Sequence, residues 1–229
     1  MRATKSPRAA LITDTAIKLV VERGLRGLTH RAVDEAAGLP LGSTSNFART
    51  RAALLAGTLN RIAELEAEAY HLSDRPAFPP GTPPASQLAL LASLGLHAAL
   101  TVGRPLTLAR VELALEANRR PELRKLYDSL GGEFAYAAAG LFAAAGSIEP
   151  TADAQRLIRW AEGVTFHALA GPGSKKIPSA SELHHDAGVY ISALLGSNGP
   201  HDPAEPQGEA FSQPSSTNDM YAPKDSSNL

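Results

Sequence analysis

Apolar residues recur at helical spacing along most of this chain. Ile12, Ala16, Leu19 and Val20 stand at i, i+4, i+7 and i+8, which lines them on one face and predicts a helix over residues 8–23, stopped by Gly24. The Thr29 hydroxyl can accept from an orphan amide one turn on, so it marks the N-cap of a second helix over 30–37. That helix would turn Val33, Ala36 and Ala37 inward and leave through Gly38, which tolerates the left-handed exit. After Leu39 and Pro40 a third short helix is expected over residues 41–48. A fourth, capped by Thr50, is expected over about 51–71, with Leu55, Leu59 and Ile62 on one face.

Prolines 76, 79, 80, 83 and 84 break the pattern and make residues 73–86 read as a linker. Beyond them, helices are expected at about 85–102, 105–118, 121–145, 151–170 and 180–195. The apolar stretch 88–102 is too short to span a bilayer and contains His97, so it reads as a buried helix and no membrane partner is expected. From residue 197 on, proline, serine and acidic residues prevail, which predicts a disordered tail over 197–229. The pattern therefore divides the chain into an N-terminal part over 1–50, a helical body over 51–196 entered through the helix 51–72, and that tail. The fold class is all-α.

Composition narrows the function. The chain of 229 residues has no cysteine, which excludes disulfides, thiolate zinc sites and cysteine nucleophiles and fits a reducing cytoplasm. Arg2, Lys5 and Arg8 form a basic arm with no apolar run and cleavage site behind it, so no signal peptide is visible and a cytoplasmic location is expected. The formal charge of −1 hides an asymmetry. Residues 1–60 hold nine basic side chains (Arg2, Lys5, Arg8, Lys18, Arg23, Arg26, Arg31, Arg49, Arg51) against four acids (Asp14, Glu22, Asp34, Glu35), which is +5 and leaves −6 for the rest. A basic module on an acidic body points to a polyanion at one end, and chance clustering on a solvated face is the alternative.

Two short helices around a glycine-containing turn, buttressed by a third, make a helix-turn-helix. Its second member is narrow enough to lie in the major groove of double-stranded DNA. Thr29, His30 and Arg31, at the N-terminus of the first member, are placed for phosphate contact at the positive end of the helix dipole.

Residues 28–55, LTHRAVDEAAGLPLGSTSNFARTRAALL, resemble the DNA-binding signature of the tetracycline-repressor (TetR) family. The likeness rests on Leu28-Thr29 with Arg31, on Ala37-Gly38-Leu39, on Gly42 and on Arg51 with Leu54 and Leu55, and covers about the first quarter of the chain. It implies a recognition helix from Leu41 through Gly42 to Phe47, with Ser43, Ser45, Asn46 and Phe47 toward DNA. Within that helix Asn46 is the best base reader, because a carboxamide bonds adenine in bidentate fashion. Arg49 joins the basic rim, and Arg51 takes the place of the family's usual lysine, which implies a phosphate clamp. Ser45 and Asn46 stand where the family commonly has an aromatic pair, and Phe47 faces either DNA or the core.

For the body, the resemblance implies a helical ligand-binding and dimerisation domain. Polar or aromatic residues interrupting apolar faces are candidate contacts for a small-molecule effector of unknown identity: His97, Arg110, Glu112, Asn118, Tyr127, Phe134, Tyr136, Trp160, Phe166 and His167. For Trp160, Phe134 and His97 plain core packing is the competing reading. Leu157, Trp160 and Val164 on one late helix, with Tyr190, Ile191 and Leu194 on the next, form stripes that either pair across a two-fold axis in a homodimer or close the subunit's own core. No hydrolase, P-loop or dinucleotide motif occurs, and the adjacent His184 and His185 point to different sides of a helix, so neither catalysis, metal nor cofactor is expected. The resulting expectation is a ligand-responsive regulator, a repressor released from a palindromic operator by its effector. A helical carrier or adaptor that has lost DNA reading is the alternative.

Overall fold

The computed structural model describes residues 6–69 and 79–196. The basic arm before residue 6, the end of the fourth helix at 70–72, the linker over 73–78 and the tail over 197–229 lie outside the described residues. Among those described, nine helices and no strand are found: α1 (Pro7–Gly27), α2 (His30–Ala36), α3 (Ser43–Phe47), α4 (Arg51–Ala69), α5 (Pro84–Leu100), α6 (Arg104–Ala117), α7 (Pro121–Ala144), α8 (Pro150–Leu169) and α9 (Ala180–Gly196).

Local chemistry sets the ends of these helices. Ser6 accepts from the Ala9 amide at 3.2 Å and Pro7 opens α1, where a missing amide costs nothing. Gly24, at φ 64°, breaks the regular run of α1 where the sequence placed its stop, and a last turn follows. The Thr50 hydroxyl accepts from the Ala53 amide at 3.1 Å and starts α4. Pro84 and Ser86, expected in the linker, belong to α5, because proline is tolerated in a first turn. α3 is shorter than expected: Leu41 and Gly42 precede it, and Gly42 caps it from a left-handed conformation.

The buried side of α1, with Ile12, Ala16, Leu19 and Val20, meets Leu54, Leu55, Leu59 and Ile62 of α4. The same core runs on through Ala109 and Leu113 of α6 to Leu123 of α7. Each fully buried aliphatic side chain of this kind stabilises the fold by about 2 kcal/mol. Residues 7–50 thus share one core with the body through α4, so a displacement of α4 is felt on both sides.

In the body, α5 packs along α9, where Leu88 and Ala89 meet Ala187 and Ile191 with Phe142 and Ala154 beside them. Leu96 and Leu100 meet Ala168, Leu169 and Leu183. The two late stripes pack partly into this core. Leu157, Trp160 and Leu194 pack on the α5–α7–α9 cluster, Val164 packs beside Leu169, and Ile191 is fully buried. Trp160 stacks on Tyr190 with ring centroids 5.8 Å apart, and the Tyr190 hydroxyl donates to the Arg156 carbonyl at 3.3 Å. Ile191 thus belongs to the subunit's own core, whereas Leu157, Trp160, Val164, Tyr190 and Leu194 lie against it and stay part-exposed.

Candidate functional site

The turn between α2 and α3 is built around one buried carboxylate. Asp34, only 1% exposed, accepts from the Gly42 amide at 2.8 Å, the Thr44 amide at 2.8 Å and the Thr44 hydroxyl at 2.6 Å. The Gly42 amide reaches it because φ at Gly42 is 90°, a conformation that side chains with a Cβ rarely adopt. Sequence reading missed both Asp34 and Thr44; it turned Ala36 inward instead, and Ala36 is exposed. The available signal was an acid next to Val33 on the inward side of a helix of only two turns.

Burial pushes the Asp34 carboxyl up, but hydrogen bonds from the Thr44 hydroxyl and amide, then from the Gly42 amide, and the charge of His30 hold it below the usual carboxylate range. A carboxyl with a lowered folded-state pKa stabilises the fold in full above its unfolded value near 3.8, and that stability drains away as pH falls through the lower folded value. Urea midpoints should therefore decline below about pH 4. Asp34→Asn should flatten that decline, and an unchanged acid limb would contradict the assignment.

On this support, α3 turns Thr44 inward and leaves Ser45 and Asn46 exposed, with Leu41 and Gly42 exposed just before it and Arg49 just after. Phe47 is 39% exposed and lays its ring across α4: a Cβ on Gly57 would meet Phe47 Cε1 at 3.3 Å. Ser43 departs from expectation. It is buried, donates to the Pro40 carbonyl at 2.5 Å and accepts from Arg8 Nη2 at 2.6 Å, so it anchors the start of α3 and does not face outward. His30 Nε2 donates to the Ala48 carbonyl at 2.7 Å, which ties α2 to the end of α3. Thr29 caps α2 by accepting from the Ala32 amide at 3.1 Å, and Arg31 lies extended along α2 against Glu35 at 2.7 Å. Arg51 is turned inward, where its guanidinium donates to the carbonyls of Leu28 and Leu25 and closes the end of α1; the expected phosphate clamp is not presented.

Charge is distributed unevenly around this surface. Among the described residues, Arg8, Arg23, Arg26 and Arg49 have no carboxylate partner. In the body, Arg61, Arg110, Arg119, Arg120, Arg124 and Arg156 each pair with an acid, whereas Arg104 and Arg159 meet none among the described residues. The first turns of α1 to α6 carry no acid, whereas Glu122, Asp153 and Glu182 sit in those of α7, α8 and α9. Arg8, bonded to Ser43, and Arg49, just after α3, set cations free of carboxylates beside an exposed short helix, a surface suited to a polyanion.

The helical body settles the relationship. Residues 83–197, half of the chain, match the tetracyclin repressor-like C-terminal domain model. The chain belongs to the TetR family. A TetR-family member from Streptomyces coelicolor A3 is 28% identical, with a TM-score of 0.62 over 82% of this chain and 98% of that one. The multidrug binding protein EbrR in complex with ethidium is 26% identical, with a TM-score of 0.62 over 82% and 98% of the two chains. A transcriptional regulator from Rhodococcus sp. Rha1 is 18% identical and shares the fold at a TM-score of 0.69 over 82% of this chain and 96% of that one. No functionally curated protein matches the sequence.

In this TetR-family chain the expected effector contacts do not converge as a set. Asn118, Phe134, Phe166 and His167 are exposed, as are Glu112 and Tyr136: the interruptions that singled them out mark outer faces of α6, α7 and α8. Trp160 is used in the stack on Tyr190, and His97 is half-buried near the end of α5. Arg110 and Tyr127 are brought together, Nη1 to hydroxyl at 3.5 Å, and Glu66 of α4 completes the group through a 3.1 Å ion pair with Arg110. Burial pushes the Glu66 carboxyl above the usual range against the pull of Arg110. Sequence reading missed Glu66, which sits among several solvated acids of α4 and has no pattern of its own. Two surface depressions lie elsewhere, one of about 360 Å³ among Ile17, Val21, Leu65 and Leu106, the other of about 550 Å³ beside Pro178 and His185.

Proposed function

We propose that this chain is a ligand-responsive DNA-binding repressor whose α3 enters the major groove of a palindromic operator. The observation that carries the reading is the exposed pair Ser45 and Asn46 on a helix fixed by buried Asp34 and flanked by arginines free of carboxylates. In it, Asn46 reads an adenine edge, Ser45 adds a base or phosphate contact, and Arg49 and Thr29 hold the backbone. The test is a base-pair substitution scan of operator binding. Asn46→Ala should lose about 1–3 kcal/mol of preference at one base pair per half-site and leave preferences elsewhere unchanged. An unchanged profile would remove Asn46 from base reading, and a chain that binds effector but no DNA would be a carrier.

Two copies are needed to read a palindrome. The second copy docks through the outward sides of α8 and α9, where Phe166 and Val189 are 59% and 62% exposed and Gly163 and Ala193 allow close approach. The effector, a small molecule as in EbrR, contacts the Glu66–Arg110–Tyr127 group. Because Glu66 lies on α4 and the other two on α6 and α7, an effector that pairs differently with these groups in two arrangements of α4 shifts the spacing of the reading heads.

A further inference from the structure

Arg8 ties α1 to α3. Its Nη2 donates to Ser43 Oγ at 2.6 Å, and the Ser43 hydroxyl in turn donates to the Pro40 carbonyl at 2.5 Å. The Ser43 side chain is buried, whereas Arg8 is exposed and has no carboxylate partner among the described residues. A guanidinium carries five donors in a rigid fork, and Ser43 takes one of them. That bond fastens α1 to the start of α3, and the rest of the fork meets no carboxylate among the described residues. Arg8 stands in the first turn of α1, where unsatisfied amides already make the surroundings positive and an acid would stabilise; that turn holds none. A cation kept there, aimed by an acceptor at the start of α3, is set to meet an anion outside the chain.

We propose that Arg8 is a phosphate contact on the operator strand bordering the groove that α3 enters, and that Ser43 is the positioning residue that aims it. The proposal rests on DNA reading by α3. It gives buried Ser43 a part in recognition without base contact. It also supplies from α1 the clamp that Arg51, turned on to the carbonyls of Leu25 and Leu28, does not present.

The test uses the full chain and fluorescein-labelled operator and unrelated duplexes, with affinity followed over roughly 50–200 mM salt. Arg8→Ala should weaken binding to both duplexes by a similar factor, about three- to tenfold at the lower salt, and reduce the log–log salt slope by about 0.9. Arg8→Lys keeps the charge and should hold the slope. Ser43→Ala should lose affinity in the wild-type background and little more in the Arg8→Ala background, and an equal loss in both would remove Ser43 from the proposal. Because the slope is insensitive to a modest loss of folded protein, it decides the matter even where Arg8→Ala is less stable. Wild-type slope and affinity in Arg8→Ala would overturn the assignment while leaving the reading of α3 intact. A wild-type chain with no preference for operator would instead sink that reading itself.

Discussion

Asp34→Ala is expected to cost about 3 kcal/mol of stability and to abolish sequence-preferring DNA binding. The carboxylate is the shared acceptor for two amides and a hydroxyl inside the turn, and hydrogen bonds to a charged group are each worth about 1.5–3 kcal/mol. Truncation leaves the Thr44 amide and hydroxyl in a buried setting with no acceptor, so α3 loses its fixed start before any core contact is touched. Asp34→Asn should fall between wild type and Asp34→Ala, because one oxygen is exchanged for a donor that faces a donor. Chemical denaturation with operator titration on the same samples reads both effects. An Asp34→Ala protein with wild-type midpoint and operator affinity would show that the turn does not depend on this group.

Phe166→Glu is expected to convert the protein to a monomer and to weaken operator binding about 100-fold or more. The side chain is exposed in the subunit, so its replacement costs the fold little, yet the change sets a charge in the middle of the outward stripe of α8. Two linked reading heads bind a palindrome with an effective concentration that separate heads lack, and losing it removes about 10²–10⁴ in avidity. Light scattering after size exclusion gives the oligomeric state, and anisotropy gives the affinity. A Phe166→Glu chain that is still dimeric would place the interface elsewhere.

Helical periodicity made most of the architecture legible, for specific reasons. The spacing of Ile12, Ala16, Leu19 and Val20 defines a face whatever it meets, and the caps at Thr29 and Thr50 depend on neighbours within one turn. Asp34 escaped notice because its partners lie eight and ten residues ahead, beyond a chain reversal that no local pattern encodes. The stripes on α8 and α9 were visible as apolar faces, but periodicity does not say what covers a face. Leu157 and Ile191 meet α5 and α7 inside the subunit, whereas Phe166 and Val189, scattered on the opposite sides, remain open. Phe134 and Asn118 lie exposed for a related reason: a polar or aromatic interruption marks the outer side of a helix as readily as a cavity wall. Arg51 had the residue type and position expected of a clamp, and only the approach of the Leu25 and Leu28 carbonyls shows where its donors go.

The most direct measurement compares the wild-type chain's affinity for a duplex carrying the intergenic palindrome beside its own gene with that for a scrambled duplex of the same length and composition, at physiological salt. If α3 reads base edges, the palindrome should bind about 10³-fold or more tightly, with both affinities falling steeply as salt rises. Equal affinity for the two duplexes, or binding to neither, would contradict the account at its centre.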